Sequence, residues 1–344
     1  CSVDGTFTFT HSSTATNNTR SYIGNNGDIT FNDVVTLNNN TSSTNSEIYV
    51  NHNANSNIQF NHNIVVTSTN AAGDGIRFGQ GGGAATLADP RTITIGGGGF
   101  VAGQLRFRNF TQLGPTAQAL TATGTAYIYN INSNWGGNVD FQAPRMRTDG
   151  TTYNGTADLD KTGGIGDDAS AGNNTFVGNA TLTNSGSNYF LMGNGNPDDF
   201  QANLTMICNG SDQMYLAHNS AGNTIAGTFD ATISNTGTRI EVCDNANSTL
   251  TITGAATIDN TSTAATTVIL LGDDGDIDFD DALTINNGGA TTTSRVIIGN
   301  DITSAISIDG AFTFNHTSTA TNDTRAYIGN NGDITFNGVT TLIN

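Results

Sequence analysis

The sequence predicts an all-β protein: a parallel β-solenoid (β-helix) of about thirteen coils, each of about 25 residues, with no helices. Three observations carry this. First, residues 7–39 (FTFTHSSTATNNTRSYIGNNGDITFNDVVTLNN) return as residues 312–344 (FTFNHTSTATNDTRAYIGNNGDITFNGVTTLIN), with 26 of 33 positions identical at an offset of 305. Upstream, Ser2-Val3-Asp4-Gly5 answers Ser307-Ile308-Asp309-Gly310, so 2–39 and 307–344 are one repeat element. Second, β-branched and aromatic clusters recur between these ends about every 25 residues, within the range of stacked-repeat architectures. Third, no segment sustains a 3.6-residue apolar period, which argues against helices.

Each coil is expected to hold two strands. The first opens on an aromatic or aliphatic residue and turns Thr-rich, as in residues 31–37, 60–66, 176–182 and 200–206. A polar Asn/Ser/Thr/Gly stretch follows. A second strand then often ends in Gly, as in residues 22–24, 48–50, 76–79, 189–193, 268–272, 296–299 and 327–329. Residues 84–151, with Pro90, Pro115, Pro144 and the run Gly96-Gly97-Gly98-Gly99, form an irregular section of the same solenoid. Its coils are expected to be longer across 84–123 and shorter across 126–151. Proline cannot donate to a strand ladder and belongs at corners. Residues 1–344 therefore read as a single continuous solenoid segment.

The strands are expected to stack in parallel rather than pair as hairpins. Hairpins need turns of two to five residues, whereas the apolar strands here are separated by stretches such as 11–19 and 38–46. Coiling sets like residues above one another, and stacked Asn and Thr then satisfy each other's hydrogen bonds, as in side-chain ladders. Alternation within strands fits: in Ile29-Thr30-Phe31 and Leu250-Thr251-Ile252 the apolar residues turn inward and Thr outward.

Composition excludes several classes. Charged residues make up 12%, against about 25% in ordinary domains, and Lys161 is the single lysine. The formal charge of −18 argues against a nucleic-acid partner, whose phosphates require Lys and Arg. No apolar run approaches the length of roughly 18 residues that suggests a membrane-spanning helix. Cys1, Cys208 and Cys243 are too few and too scattered for a disulfide framework and are expected as free, half-buried thiols. With no initiating Met, and a last stretch that stops within a repeated strand pattern, the chain is expected to be an excerpt of a longer one.

Residues 85–121 (ATLADPRTITIGGGGFVAGQLRFRNFTQLGPTAQALT), 173–205 (NNTFVGNATLTNSGSNYFLMGNGNPDDFQANLT) and 216–237 (LAHNSAGNTIAGTFDATISNTG) resemble the giant tandem-repeat secreted surface proteins of Bacteroidota-type bacteria. The resemblance implies an extracellular adhesin or fibre repeat at the bacterial cell surface, not an activity; surface glycans are an expected partner.

Catalysis on a β-helix needs paired carboxylates with a basic residue on one face. The densest acidic run is Asp273–Asp281, in which Asp276, Asp278 and Asp280 share a strand face while Ile277 and Phe279 turn inward. Asp274, Asp276, Asp278 and Asp280 are the one metal candidate, for Ca²⁺, but the spacing matches no Ca²⁺ loop and favours a solvated acidic face. No catalytic residue and no cofactor is expected. His11 and His316 occupy the same repeat position, and Arg20, Arg239, Arg295 and Arg325 recur at one rung, so both sets read as ladder residues. Thr-x-Thr runs such as Thr6–Thr10 and Thr92–Thr94 raise an ice-binding reading, but the motif drifts from coil to coil.

The expected function is a structural segment of an extracellular filament or adhesin. It partners itself by continued end-to-end stacking, either as one covalent chain or as head-to-tail subunits. The residues expected to carry the stacking are Val3, Phe7, Phe9, Ile29 and Phe31 at one end, and Phe312, Phe314, Ile334 and Phe336 at the other. The alternatives are a carbohydrate-active β-helix enzyme and a ligand- or ice-binding solenoid.

Overall fold

The computed structural model describes residues 1–14, 19–42, 46–69, 75–164 and 168–343. Among them every regular element is a β-strand, and all pairings between strands are parallel, stacked as a solenoid of about 12 turns. Each coil has three strands rather than the two expected. The long first strand breaks in its middle: Ile29–Phe31 ends, residues 32–34 turn, and Val35–Asn39 begins a new direction. At that turn Asp33 Oδ1 accepts the Val34 N–H at 2.7 Å; one coil later His62 Nδ1 accepts the Asn63 N–H at 2.9 Å. Short polar side chains that bond their own backbone favour turns over strands.

By its internal contacts the chain groups into two compact units, Cys1–Leu159 and Asp160–Asn344. In the first unit, successive strands of the first sheet pair Ser2 with Thr30, Thr30 with Gln59, Gln59 with Thr86, Thr86 with Thr111, Thr111 with Asn134 and Asn134 with Thr152. The coil step is thus 28, 29, 27, 25, 23 and finally 18 residues. In the second unit it grows: Thr175 pairs Asp199, then Thr224, Thr251, Asp278, Ser307 and Thr335, in steps of 24, 25, 27, 27, 29 and 28. The longer coils expected across 84–123 are therefore not found, since the steps there are 25 and 23. The added length lies inside one eight-residue strand, Ile93–Phe100, whose register slips between Ile95 and Phe100 at the glycine run.

The core of each unit is a narrow column of inward residues from three strands. In the third coil Ile58, Phe60, Ile64, Val66, Ile76 and Phe78 are all buried. Their rings continue from coil to coil: Phe31–Phe60 centroids lie 5.4 Å apart and Phe78–Phe107 5.5 Å. Where the coil shortens, Trp135 fills the column against Phe107 and Phe141, each 5.1 Å away, and its indole N–H donates to Asn130 Oδ1 at 3.2 Å.

One corner repeats in every unit. The residue after the third strand is left-handed at Gly24, Asn51, Gly79, Asn109, Asn132 and Gly150 in the first unit, and at Ala217, Cys243, Gly272, Gly299 and Gly329 in the second, with φ between 48° and 67°. This is the physical content of the recurring terminal glycine, since only Gly enters that region without a Cβ penalty.

The expected ladders are present. Asn286 donates to Asp259 at 2.7 Å and Asn315 to Asn286 at 2.7 Å. Asn260 Nδ2 donates to Asn287 Oδ1 at 2.7 Å, and Asn287 meets His316 Nδ1 at 2.9 Å.

Candidate functional site

The residues expected to carry end-to-end stacking separate into two end faces. At the N-terminal face Val3 pairs Phe31, Phe7 pairs Val35 and Phe9 pairs Leu37. Val3, Phe7 and Phe9 remain half-exposed. Their repeat counterparts Phe312 and Phe314 are buried, because the strand Leu283–Asn287 packs against them through Leu283 and Ile285.

The C-terminal face is the complement. Leu37 is 1% exposed beneath Val66, whereas its counterpart Leu342 is 60% exposed and neighbouring Val339 74%. Ile29 and Ile334 are both half-exposed; Phe31 is buried and Phe336 half-exposed. The local packing repeats as well: Phe7–Phe31 and Phe312–Phe336 centroids both lie 5.1 Å apart. The duplicated stretch therefore occupies the same register 305 residues on, and the last strands present a surface that the third coil covers one repeat earlier.

The acidic run is a ladder face. Asp276 and Asp278 point outward and Ile277 and Phe279 inward, and the exposed Asp280 follows the strand end. Asp276 Oδ1 accepts the Ala305 N–H at 2.8 Å, and Asp278 accepts the Ser307 hydroxyl. Both line a groove of about 290 Å³ with Thr251, Ser307, Asp333 and Thr335. Asp274 lies apart, at the preceding corner, where burial and the neighbouring Asp301 and Asp273 raise its pKa. Among the described residues no three His, Cys, Asp or Glu side chains are placed to hold a metal ion.

The histidines and cysteines sit in the stack. Burial lowers the pKa of His11 and of His316. All three cysteines are free, but Cys208 and Cys243 are wholly rather than half buried. Burial pushes the Cys208 thiol up to about 11, and its Sγ donates to the Asp212 carbonyl at 2.9 Å. The recurring arginines pair with carboxylates: Arg20 with Glu47 at 3.7 Å, Arg239 with Glu241 at 2.7 Å, and Arg295 and Arg325 with Asp323 at 2.5 and 2.7 Å.

On the second sheet of the second unit Thr181, Thr205, Asp230, Thr257, Thr284, Thr313 and Thr341 are in register. The adjacent outward column is Thr183, Ile207, Thr232, Asp259, Asn286, Asn315 and Ile343.

Sequence reasoning missed the outer face of the third sheet in the first unit. In register along six strands run Tyr22, Tyr49, Arg77, Arg106, Tyr129 and Arg147, flanked by Arg20, Glu47, Tyr127 and Arg145 and by Arg108 and Asp149. Six of the chain's ten arginines thus lie on one face. Guanidinium groups lie over rings: Arg106 and Arg147 over Tyr129 at 4.9 and 5.0 Å, and Arg145 over Tyr127 at 4.6 Å. Burial, with Arg77 and Arg108 alongside, lowers the Arg106 pKa; burial and the Asp149 carboxylate push Tyr129 up to about 12. The available signal was the two-residue spacing Arg20-x-Tyr22, Arg106-x-Arg108, Tyr127-x-Tyr129 and Arg145-x-Arg147, which marks outward strand positions.

Comparison with protein-family models, curated proteins and solved structures found no match.

Proposed function

We propose that this chain is a structural segment of an extracellular bacterial filament or surface adhesin, without enzymatic activity, that extends by continued β-solenoid stacking. The observation supporting this most directly is the pair of equivalent coils 305 residues apart. Leu37 is covered by the next coil, whereas Leu342 shows the same face to solvent. Exposed strand edges and apolar side chains of this kind invite pairing. A strand like Ile64–Ser68 fits that edge, because Ile64–Ser68 covers the equivalent strand Val35–Asn39. A continuous chain of 305-residue units is the favoured form, with head-to-tail subunits as the other.

The test is a chain lengthened by a second copy of residues 39–343 placed after Ile343. It should gain about 12 coils at about 4.8 Å each, or about 58 Å in maximum dimension by small-angle scattering, with parallel-β circular dichroism retained. A lengthened chain that scatters as two separate particles, or that aggregates without added β-structure, would overturn the proposal. Concentration-dependent growth of the original chain, seen by ultracentrifugation and blocked by Leu342→Asp, would select the subunit form over the covalent one.

A further inference from the structure

We propose that the outer face of the third sheet in the first unit binds a polyuronate, a polysaccharide with repeated carboxylates, along Arg77, Arg106 and Arg108. In a chain of formal charge −18, this face carries, among the described residues, six arginines and two carboxylates, Glu47 and Asp149. Glu47 pairs with Arg77 and Arg20, and Asp149 with Arg147 at 3.0 Å. Arg106 and Arg108 instead donate to the side-chain and backbone oxygens of Gln80, at 2.6 and 3.1 Å, which are neutral acceptors.

The geometry matches a linear polyanion. The polymer path follows the stacking direction, in which Arg77 and Arg106 lie on adjacent strands about 4.8 Å apart, with Arg108 to one side, about 7 Å from Arg106 along its strand. The Arg106 guanidinium, held over the Tyr129 ring, loses little freedom when it grips a carboxylate, and the planar fork of arginine suits two-point hydrogen bonding. Tyr22, 45% exposed and packed against Tyr49 and His52, offers a ring face for a sugar at the end of the row. A nucleic acid fits less well. Its charge density meets the overall negative field of the chain, and its bases need open rings, whereas Tyr49, Tyr127 and Tyr129 lie under arginines. The proposal does not depend on end-to-end stacking, because the face lies on a flank and binding is read on the chain in any state of assembly.

The experiment measures binding of the chain to polygalacturonate, to its methyl-esterified form, to dextran sulfate and to a single-stranded oligonucleotide by biolayer interferometry. Polygalacturonate should bind and weaken with added salt, and the esterified polymer should not. R106Q/R108Q should weaken binding roughly tenfold or more, while R295Q, in the second unit, leaves it unchanged. If the double variant loses its β circular dichroism, R108Q alone should still weaken binding several-fold. The proposal is overturned by absent polygalacturonate binding, equal binding of the esterified polymer, tighter binding of dextran sulfate or the oligonucleotide, or undiminished binding by the folded variants.

Discussion

At the scale of single residues, backbone conformation and burial decide more than charge. Gly299 and Ala217 occupy the same left-handed corner of different coils, with φ of 66° and 52°. A Cβ on Gly299 would meet only ordinary contacts, the nearest at 3.4 Å, so Gly299→Ala isolates the backbone strain. It should destabilise by about 1–2 kcal/mol in urea denaturation, with Ala217→Gly neutral or mildly stabilising. Glu241 supplies a pH dependence. Burial raises its pKa to about 7 against the pull of Arg239, with Asp244 and Asp273 adding to the rise. A folded-state value above the unfolded one means stability is fully present below about pH 4.5 and is lost as pH rises through 7. Glu241→Gln should therefore gain stability relative to the parent at pH 9, by up to about 3 kcal/mol, but not at pH 4. His316, whose pKa burial lowers, acts in the opposite sense, with stability lost as pH falls.

At the scale of the coil, the three-strand turn is the cooperative element. Two of its strands were visible in the sequence as apolar clusters. The third was hidden because a turn of only three residues, 32–34 or 61–63, separates two apolar strands that read as one run. The corner was also visible, as the recurring Gly, although Ala217 and Cys243 fill it elsewhere and could not be recognised from residue type. Packing within a coil is thin, so each aromatic ring matters. Phe60 is fully buried between Phe31 and Phe78. Phe60→Ala should cost about 3–5 kcal/mol, measured by chemical denaturation. An effect below about 1 kcal/mol would mean the column repacks freely.

At the scale of the molecule, coils contact mainly their neighbours, so stability should grow nearly additively with coil number. The chain lengthened by residues 39–343 should accordingly denature at higher urea than the parent. An unchanged midpoint would mean that the added coils do not stack. The lines of the candidate site were unequally readable. The end faces followed from the duplicated stretch because identical residues 305 apart must make the same local contacts wherever the coils on either side match. The arginine–tyrosine face did not, since its members are scattered from Arg20 to Asp149 and meet only through register.

The sequence by itself determined that the chain is all-β, that it coils in parallel, and that about twelve turns separate its two equivalent stretches. These follow from local alternation, turn chemistry and self-similarity, all properties of residues near one another in the chain. Only the tertiary structure decided that each coil has three strands, that the step falls to 18 residues, and that Arg77 lies beside Arg106. Coil length is set by where turns close, and a change of one residue in any coil shifts which side chains stack on the next. Side-chain columns across coils are therefore a sum of many small local choices, and they become readable only once every register is known.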